Sequence, residues 1–436
     1  MELLEKLRGR IDSGEVIYVE KRSRSVNYKG WKIRGSESTQ ERGYAVRVIV
    51  DGKVGTAATT DSEAVDEMVE NAIEAAKLGE KLELEFPAKA EDYAVPDIFD
   101  KQLLVTGIPV LADFGKELMS RLEQYRNECD IEIDASTYQG KIKIANTGGF
   151  EGEYEKTFFS LSGSLIRVKE NDIYMAWDYF VTSHYPADSE DAILPIVGRI
   201  DQIMQYADSI VSAPSGNVPV ILSPHGALVA LLPLSVGLNG DNIYTKTSPI
   251  FDKVGQKLFD DKFSIIDDGT LDKRSGSTPF DAEGIPKKKL PMIENGVLKN
   301  FYFDLTTAKK SGYKSNGCAG RSIFSPPSPG PSNVIVESGN DSIMDIIADI
   351  KEGIIVESVL GMGQGNILSG AFSNPVATGF KIENGKITGR VKNVAIAGNV
   401  YDNLKNIAAI SKESKWIYGS YNLPYIMLDN LSVVSK

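Results

Sequence analysis

Residues 44–58 are the most informative stretch of this sequence: Tyr44-Ala-Val-Arg-Val-Ile-Val50, then Asp51-Gly52, then Lys53-Val-Gly-Thr-Ala-Ala58. Two apolar runs joined by aspartate-glycine predict a β-hairpin, because both central residues of a two-residue turn need positive φ. The next segment, 61–77, places apolar side chains three and four residues apart, which indicates an amphipathic helix. A hairpin beside such a helix predicts a small α+β unit.

Helical and extended patterns alternate on both sides of this hairpin. The other predicted elements are a helix over 1–12, strands over 15–22 and 25–34, a helix over 110–127, strands between 131 and 168 with a turn at 146–149, and a helix over 191–212. We therefore predict an N-terminal α+β domain, residues 1–107, which ends in a polar connector. A second α+β domain is predicted over residues 108–213.

The amino-acid composition changes after residue 213, where glycine, proline and asparagine become frequent. Asn295-Gly296 and Asn384-Gly385 each follow a glutamate and precede an apolar run, so they predict two more hairpins. Helices are predicted only near 224–238 and 341–352. The predicted fold class is α+β: an N-terminal α+β region followed by a mostly β C-terminal domain, residues 214–436.

Composition limits the classes of function. The 436 residues carry a net charge of −12, which disfavours nucleic acid and anionic membranes as partners. No stretch has the ~18 apolar residues of a membrane span, and the N-terminus lacks the apolar core of a signal peptide. Two cysteines do not make a disulfide framework. We therefore predict a cytoplasmic protein.

Histidines are too few for a histidine-based zinc hydrolase site in this chain. Only His184 and His225 occur, and neither has a second ligand at a metal-binding spacing. Ser223-Pro224 predicts a helix start, with serine as the N-cap and proline at the first helical position. His225 is then a capping-turn residue without a catalytic role, and His184 is a surface loop residue.

Two loops contain groups that could carry chemistry. Asp281 and Glu283, in the loop 275–284, could bind a cation or act as an acid/base pair. The alternative is a loop held by side-chain-to-backbone hydrogen bonds, which is the commoner arrangement.

The second loop is glycine-rich. Gly361, Gly363, Gln364 and Gly365 would let a backbone approach closely, so a peptide could bind there as an added strand. A tight bend within a β domain explains the same glycines equally well. The dinucleotide-binding pattern is absent, because Asn366 stands where its last glycine is required.

Several motifs resemble one family over nearly the whole chain. They are Ser277-Thr-Pro-Phe-Asp-Ala-Glu-Gly284, Glu294-Asn-Gly-Val-Leu298, Met362-Gly-Gln-Gly365, Ile396-Ala-Gly-Asn399 and the tail 419–431. They resemble the TldD/PmbA family, and within it the PmbA branch, also called TldE. The resemblance implies a cytoplasmic metallopeptidase of two related subunits, acting on unfolded or modified peptides. Its TldD-type subunit carries His-Glu-x-x-x-His and a later cysteine, which supply the zinc ligands and the general base.

Aligned on that pattern, this chain has lost every catalytic position. Pro233 stands in place of the first histidine, Leu234 in place of the glutamate and Leu238 in place of the second histidine, while Tyr418 stands near the expected cysteine. The resemblance therefore implies no catalytic residue and no metal here, with zinc only in a TldD-type partner. The predicted partners are that paralogue or a second copy, and a peptide substrate. A scaffolding homo-oligomer and a hydrolase using Asp281 and Glu283 remain as alternatives.

Overall fold

A computed structural model describes residues 2–89 and 92–435. Met1, Ala90, Glu91 and Lys436, which fall in the predicted helix 1–12, the connector and the C-terminal domain, lie outside the described residues. The elements of the first half are α1 (Glu2–Glu5), β1 (Ser13–Lys29), β2 (Lys32–Val50), β3 (Lys53–Thr59), α2 (Val65–Leu78), α3 (Lys101–Val105), α4 (Ile108–Arg121), β4 (Cys129–Asn146), β5 (Glu151–Lys169), β6 (Asp172–Thr182) and α5 (Ser189–Met204).

The second half is dominated by strands. Its elements are β7 (Ile210–Val211), β8 (Gly216–Leu222), α6 (Leu228–Gly237), α7 (Gly240–Tyr244), β9 (Ile265–Asp268), β10 (Lys289–Glu294), β11 (Val297–Leu298), α8 (Leu305–Ser311), β12 (Ala319–Gly320), β13 (Ser328–Pro329), β14 (Val334–Val336), α9 (Ile343–Ala348), β15 (Glu352–Val359), β16 (Ala371–Glu383), β17 (Lys386–Val391), β18 (Val394–Asn399), α10 (Val400–Asn403), β19 (Ile407–Ile417) and β20 (Tyr421–Ser435). The predicted fold class, α+β with a β-rich C-terminal domain, is confirmed.

The first half of the chain builds one six-stranded antiparallel sheet in the order β3-β2-β1-β4-β5-β6. The predicted hairpin at Asp51-Gly52 is confirmed, with φ of 50° and 71°. Pairing of β1 with β4 makes the sheet continuous across residues 107 and 108. The strands of the two predicted N-terminal domains therefore share one sheet.

Two N-terminal predictions were wrong. A single strand was expected over 25–34, but Gly30 and Trp31 take positive φ and turn the chain between β1 and β2. A helix was expected over 1–12, but α1 ends at Glu5 and Gly9 adopts φ 73°. In both places a glycine that readily adopts the left-handed region interrupts the apolar pattern.

The six-stranded sheet has one face covered by helices. Helices α2, α4 and α5 pack on this helix face, and their side chains form cores with inward residues such as Val46, Tyr28 and Leu161. Side chains alternate between faces along a strand, so the neighbours of these residues point to the other side. We call that side the opposite face. It is partly covered by the C-terminal domain, since Phe280 packs edge-on against Phe150 and Tyr154 with ring centroids 5.0 and 5.2 Å apart.

The C-terminal domain is a twelve-stranded sheet that closes on itself. Strand β20 pairs with β8, β8 with β15, β15 with β16, β16 with β18, and β18 again with β20. These five pairings form a closed ring whose interior is apolar and receives helix α6. The predicted turns at Asn295-Gly296 and Asn384-Gly385 are confirmed by their positive φ. Among the described residues, no helix is long and apolar enough to cross a membrane.

A buried ion network joins the N-terminal sheet to the C-terminal domain. Arg47 of β2 binds Glu15 of β1 at 3.0 Å and Glu283 at 2.6 Å, and Arg321 binds Glu15 at 2.8 Å. All four side chains are at most 7% exposed. The charges balance in pairs, which offsets part of the cost of removing them from water. We refer to these four residues as the ion network.

Arg47→Ala tests the ion network. The substitution leaves Glu283 buried without a guanidinium and Glu15 with Arg321 alone, so the free energy of unfolding should fall by about 3–5 kcal/mol in urea denaturation. Arg10→Ala is the matched control, because Arg10 pairs with Glu70 at 2.7 Å on the exposed surface and should contribute no more than about 1 kcal/mol. Equal losses in the two variants would contradict a structural role for the network.

Candidate functional site

Helix α6 contains Pro233 and Leu234, and Leu238 is its C-cap; these are the residues that the family resemblance aligns with a zinc motif. It begins at Leu228, later than predicted, because residues 224–227 form a turn in which the Ser223 hydroxyl accepts the N–H of Gly226 at 3.2 Å. Ser223 thus caps this turn rather than the helix itself. Pro233 lies inside the helix, where it has no N–H to donate.

The three motif positions on α6 belong to the apolar core. Pro233 is buried, and Leu234 and Leu238 are 1% and 2% exposed within the core of the C-terminal domain. Hydrocarbon side chains offer no lone pair to a metal and no proton to a substrate. Among the described residues, no group of three histidines, cysteines or carboxylates is placed to hold a metal ion. A zinc ion does not fit this set of residues.

Tyr418 is used as a contact between domains. It lies in the turn between β19 and β20 with φ 53°, and its ring stacks on Tyr179 of β6 with centroids 5.0 Å apart and planes 5° from parallel. The backbone N–H of Tyr418 also donates to the Tyr179 hydroxyl. Burial raises the pKa of Tyr179, so its hydroxyl stays protonated near neutral pH.

The sequence did not predict a buried polar cluster around Asp178, which lies within strand β6. Asp178 is buried, with its carboxylate bound to Lys415 and its Oδ1 3.5 Å from Nε2 of His225. His225 is 2% exposed and stands edge-on to the rings of Trp177 and Tyr179, at 5.1 and 6.1 Å. In the sequence, the charged residue Asp178 between Trp177 and Tyr179 could have indicated a buried polar group. Its partners His225 and Lys415 lie far away in the sequence, so no local pattern predicts the contacts.

Charges in this group are set by burial. Burial alone would raise the pKa of Asp178, but His225 and Lys415 hold it below its ordinary value, so the carboxylate is ionised. Burial lowers the pKa of His225 despite Asp178, so the imidazole is neutral near pH 7. Neither ring nitrogen has a hydrogen-bond partner among the described residues. The predicted position of His225 in a turn is confirmed, and the side chain is buried there.

The second histidine, His184, lies in the loop that follows β6. Its side chain is 22% exposed, and its Nε2 lies 3.1 Å from Oδ1 of Asp97 in the connector. It is therefore a partly buried loop residue, and the two histidines occupy different environments.

Both carboxylates of the loop 275–284 are hydrogen-bonded to other groups of the protein. Asp281 accepts the N–H groups of Glu283 and Ile285 at 2.9 Å and that of Ala319 at 3.0 Å. Glu283 belongs to the ion network and also accepts the N–H of Leu305 at 2.7 Å. Both side chains are at most 2% exposed. This arrangement matches the alternative of a loop held by hydrogen bonds to the backbone.

The glycine-rich loop lies beside α6. Gly361, Gly363 and Gly365 have φ of 66°, 84° and 89°, and a Cβ on Gly361 would meet the Gln364 side chain at 2.8 Å. A Cβ on Gly363 would lie 3.2 Å from Leu232 of α6. The loop is therefore tightly folded, and the structure brings it next to the helix with the replaced zinc positions.

Comparison with known proteins identifies the class of this chain. Three family models match in order: PmbA/TldA metallopeptidase domain 1 over residues 14–76, the central domain over 108–200 and the C-terminal domain over 215–435. The succession defines a three-part chain of the metallopeptidase class. The chain belongs to the PmbA/TldD metallopeptidase family, as the resemblance predicted.

Individual proteins are similar to this chain over most of its length or over about half of it. The metalloprotease PmbA homolog of Haemophilus influenzae is 26% identical, over 92% of this chain and 88% of that protein. The structure of TldE from Thermococcus kodakarensis has a TM-score of 0.90 at 24% identity, and covers 100% of this chain and 99% of that one. A metalloprotease TldD homolog of Buchnera aphidicola is 34% identical, over 46% of this chain and 42% of its own length. The full-length matches agree with the predicted PmbA (TldE) branch.

His225→Asn tests the buried neutral histidine. In the unfolded chain the imidazole titrates near pH 6.5. Below that pH the unfolded chain binds a proton that the native protein does not, so acidification should lower the free energy of unfolding, by at most about 1.4 kcal/mol per pH unit. Asp178 has a lowered pKa and stays ionised above about pH 4, so its contribution is constant in this range. Urea denaturation between about pH 7.5 and 5.5 should show a weaker pH dependence in the variant. Parallel curves would contradict this assignment.

Proposed function

We propose that this chain is the zinc-free, PmbA/TldE-type subunit of a cytoplasmic metallopeptidase complex that degrades unfolded or modified peptides. The observation that carries the proposal is the burial of Leu234 and Leu238 in the core at positions where the family motif has a glutamate and a histidine. Zinc and the general base would come from a TldD-type paralogue. In this proposal the chain itself is catalytically inactive.

Conservation of the architecture without the metal supports a partner role. All three family domains are present, whereas α6 has become a packing element of the closed ring. The glycine-rich loop lies beside α6 and carries two exposed apolar side chains, Leu360 and Met362. We propose that Gly361, Gly363, Gln364 and Gly365 contact peptide there. Large exposed apolar side chains of this kind are typical of binding surfaces.

Two alternatives make different predictions. A scaffolding homo-oligomer would bind peptide without a TldD-type partner. A hydrolase using Asp281 and Glu283 is less supported, because both carboxylates are buried and hydrogen-bonded.

Reconstitution with a TldD-type chain tests the proposal. The purified chain alone should contain no stoichiometric zinc and should not cleave unfolded peptides, whereas the mixture should contain zinc and cleave them. Metal analysis measures the zinc content, light scattering measures assembly of the two chains, and a peptide assay measures cleavage. A partner with its motif glutamate changed to glutamine should still assemble but should lose cleavage, since that group is the general base.

Other outcomes favour the alternatives. One tightly held zinc per isolated chain would overturn the proposal. Cleavage by the isolated chain that disappears in Asp281→Asn would favour the carboxylate hydrolase. Self-association without any binding to the TldD-type chain would favour the homo-oligomer.

A further inference from the structure

Two lysines flank a glycine on the opposite face of the N-terminal sheet. Lys21 of β1 pairs with Gly140 of β4, and Gly140 pairs with Lys156 of β5, so the three lie in one row across the sheet. Neighbouring strands lie about 4.8 Å apart, so the lysine Cα atoms are roughly 10 Å apart. Gly140 contributes no side chain to this row, and the Tyr138 ring lies over it.

Aromatic side chains occupy the surface between and beside the two lysines. A Cβ on Gly140 would lie 2.7 Å from the Tyr138 hydroxyl, so the tyrosine leans over the glycine. The Tyr138 ring stacks on Phe158 with centroids 5.3 Å apart, and the Lys156 ammonium lies 5.1 Å from the Phe158 centroid. The stacked rings of Tyr138 and Phe158 therefore lie beside the two lysine side chains.

A third lysine comes from the C-terminal domain. Lys287 follows the loop that covers part of the opposite face, donates to the Ser332 hydroxyl at 2.7 Å and is close enough for its charge to act on Lys156. Among the described residues, Lys21, Lys156 and Lys287 form no salt bridge. We call them the three-lysine site.

Nearby acids do not neutralise the three-lysine site. Asp281 faces Lys287, but its oxygens accept backbone N–H groups. Asp267 also faces Lys287 and accepts the N–H of Ser332, and burial raises its pKa to about 6. Glu41 is the cross-strand partner of Lys21, but the two side chains form no salt bridge among the described residues, and the charge of Glu41 acts on Tyr138. Burial, and then the charges of Lys287 and Lys21, lower the pKa of Lys156 to about 8. A bound anion would relieve this repulsion.

The opposite face continues away from the lysines as a groove of the other charge. This groove has a volume of about 880 Å³ and is lined in part by Asn27, Asp134, Ser162, Ser164 and Trp177. Four carboxylates and two cations border it: Glu37, Glu132, Asp134, Asp178, Lys29 and Arg34. From Gly140 to Asp134 along β4 is six residues, or roughly 20 Å. An extended peptide of about six residues has the same length.

We propose that the three-lysine site binds the C-terminal carboxylate of a short peptide whose free N-terminus lies toward Asp134. The lysines supply the positive charge for the carboxylate. The serines and Asn27 offer hydrogen bonds to the peptide backbone, and Trp177 offers an apolar surface to its side chains. Only the identification of the ligand as a peptide rests on the proposed function.

Calorimetry on the full chain alone tests this site, with the hexapeptide Gly-Ala-Gly-Ala-Gly-Ala as the probe. The peptide acid should bind about tenfold more tightly than its C-terminal amide, which corresponds to about 1.4 kcal/mol. Lys156→Gln should abolish the difference between acid and amide. Lys143→Gln is the matched control and should retain it, because Lys143 pairs with Glu153 at 2.8 Å on the helix face.

Further measurements separate the possible ligands. Saturating peptide acid should slow acetylation of Lys156 by acetic anhydride at pH 8, because a paired ammonium is more strongly protonated. Acid and amide that bind equally, or acid that fails to bind, would overturn the proposal without any variant having to fold. Two results together would contradict a peptide-specific site: inorganic phosphate competes fully with the peptide acid, and an N-acetyl peptide binds as tightly as the peptide with a free N-terminus. The three-lysine site would then be a general anion site. Because neither zinc nor a partner chain is present, failure here leaves the reconstitution test unaffected.

Discussion

The ion network of Arg47, Glu15, Glu283 and Arg321 is the constraint on which the arrangement of the domains depends. It lies where the N-terminal sheet meets the loops of the C-terminal domain, and its members come from both. Buried charges have a low energy only when their partners stay in place, so the network fixes the position as well as the contact. It therefore determines which part of the opposite face is covered, and the three-lysine site lies where Lys287 of the C-terminal domain reaches that face.

Helix α6 is a packing element of the C-terminal domain. Leu234 and Leu238 are packed into the core of the closed ring, where each buried leucine contributes roughly 1.5–3 kcal/mol, and Pro233 is buried in the same helix. This packing role supports the proposal that the subunit keeps the family architecture and relies on a partner for the reaction.

Tyr418, which the family resemblance places near the expected cysteine, makes a second contact between the domains. Tyr418 stacks on Tyr179, which in turn adjoins His225, and His225 lies beside Asp178. These contacts hold strand β6 against the C-terminal domain at a junction distinct from the ion network.

The features of this protein that depend on neighbouring residues in the sequence could be predicted from the sequence. The turns at Asp51-Gly52, Asn295-Gly296 and Asn384-Gly385 follow from residues that adopt positive φ, and the fold class follows from such patterns. The assignment of Pro233, Leu234 and Leu238 to the zinc motif rests on the family resemblance of one short stretch. The pairing of β8 with β20 in the ring, the pairing of Arg47 with Glu283 and the proximity of Lys21, Lys156 and Lys287 join residues more than a hundred positions apart. No local pattern encodes such contacts, so only the tertiary structure decided them.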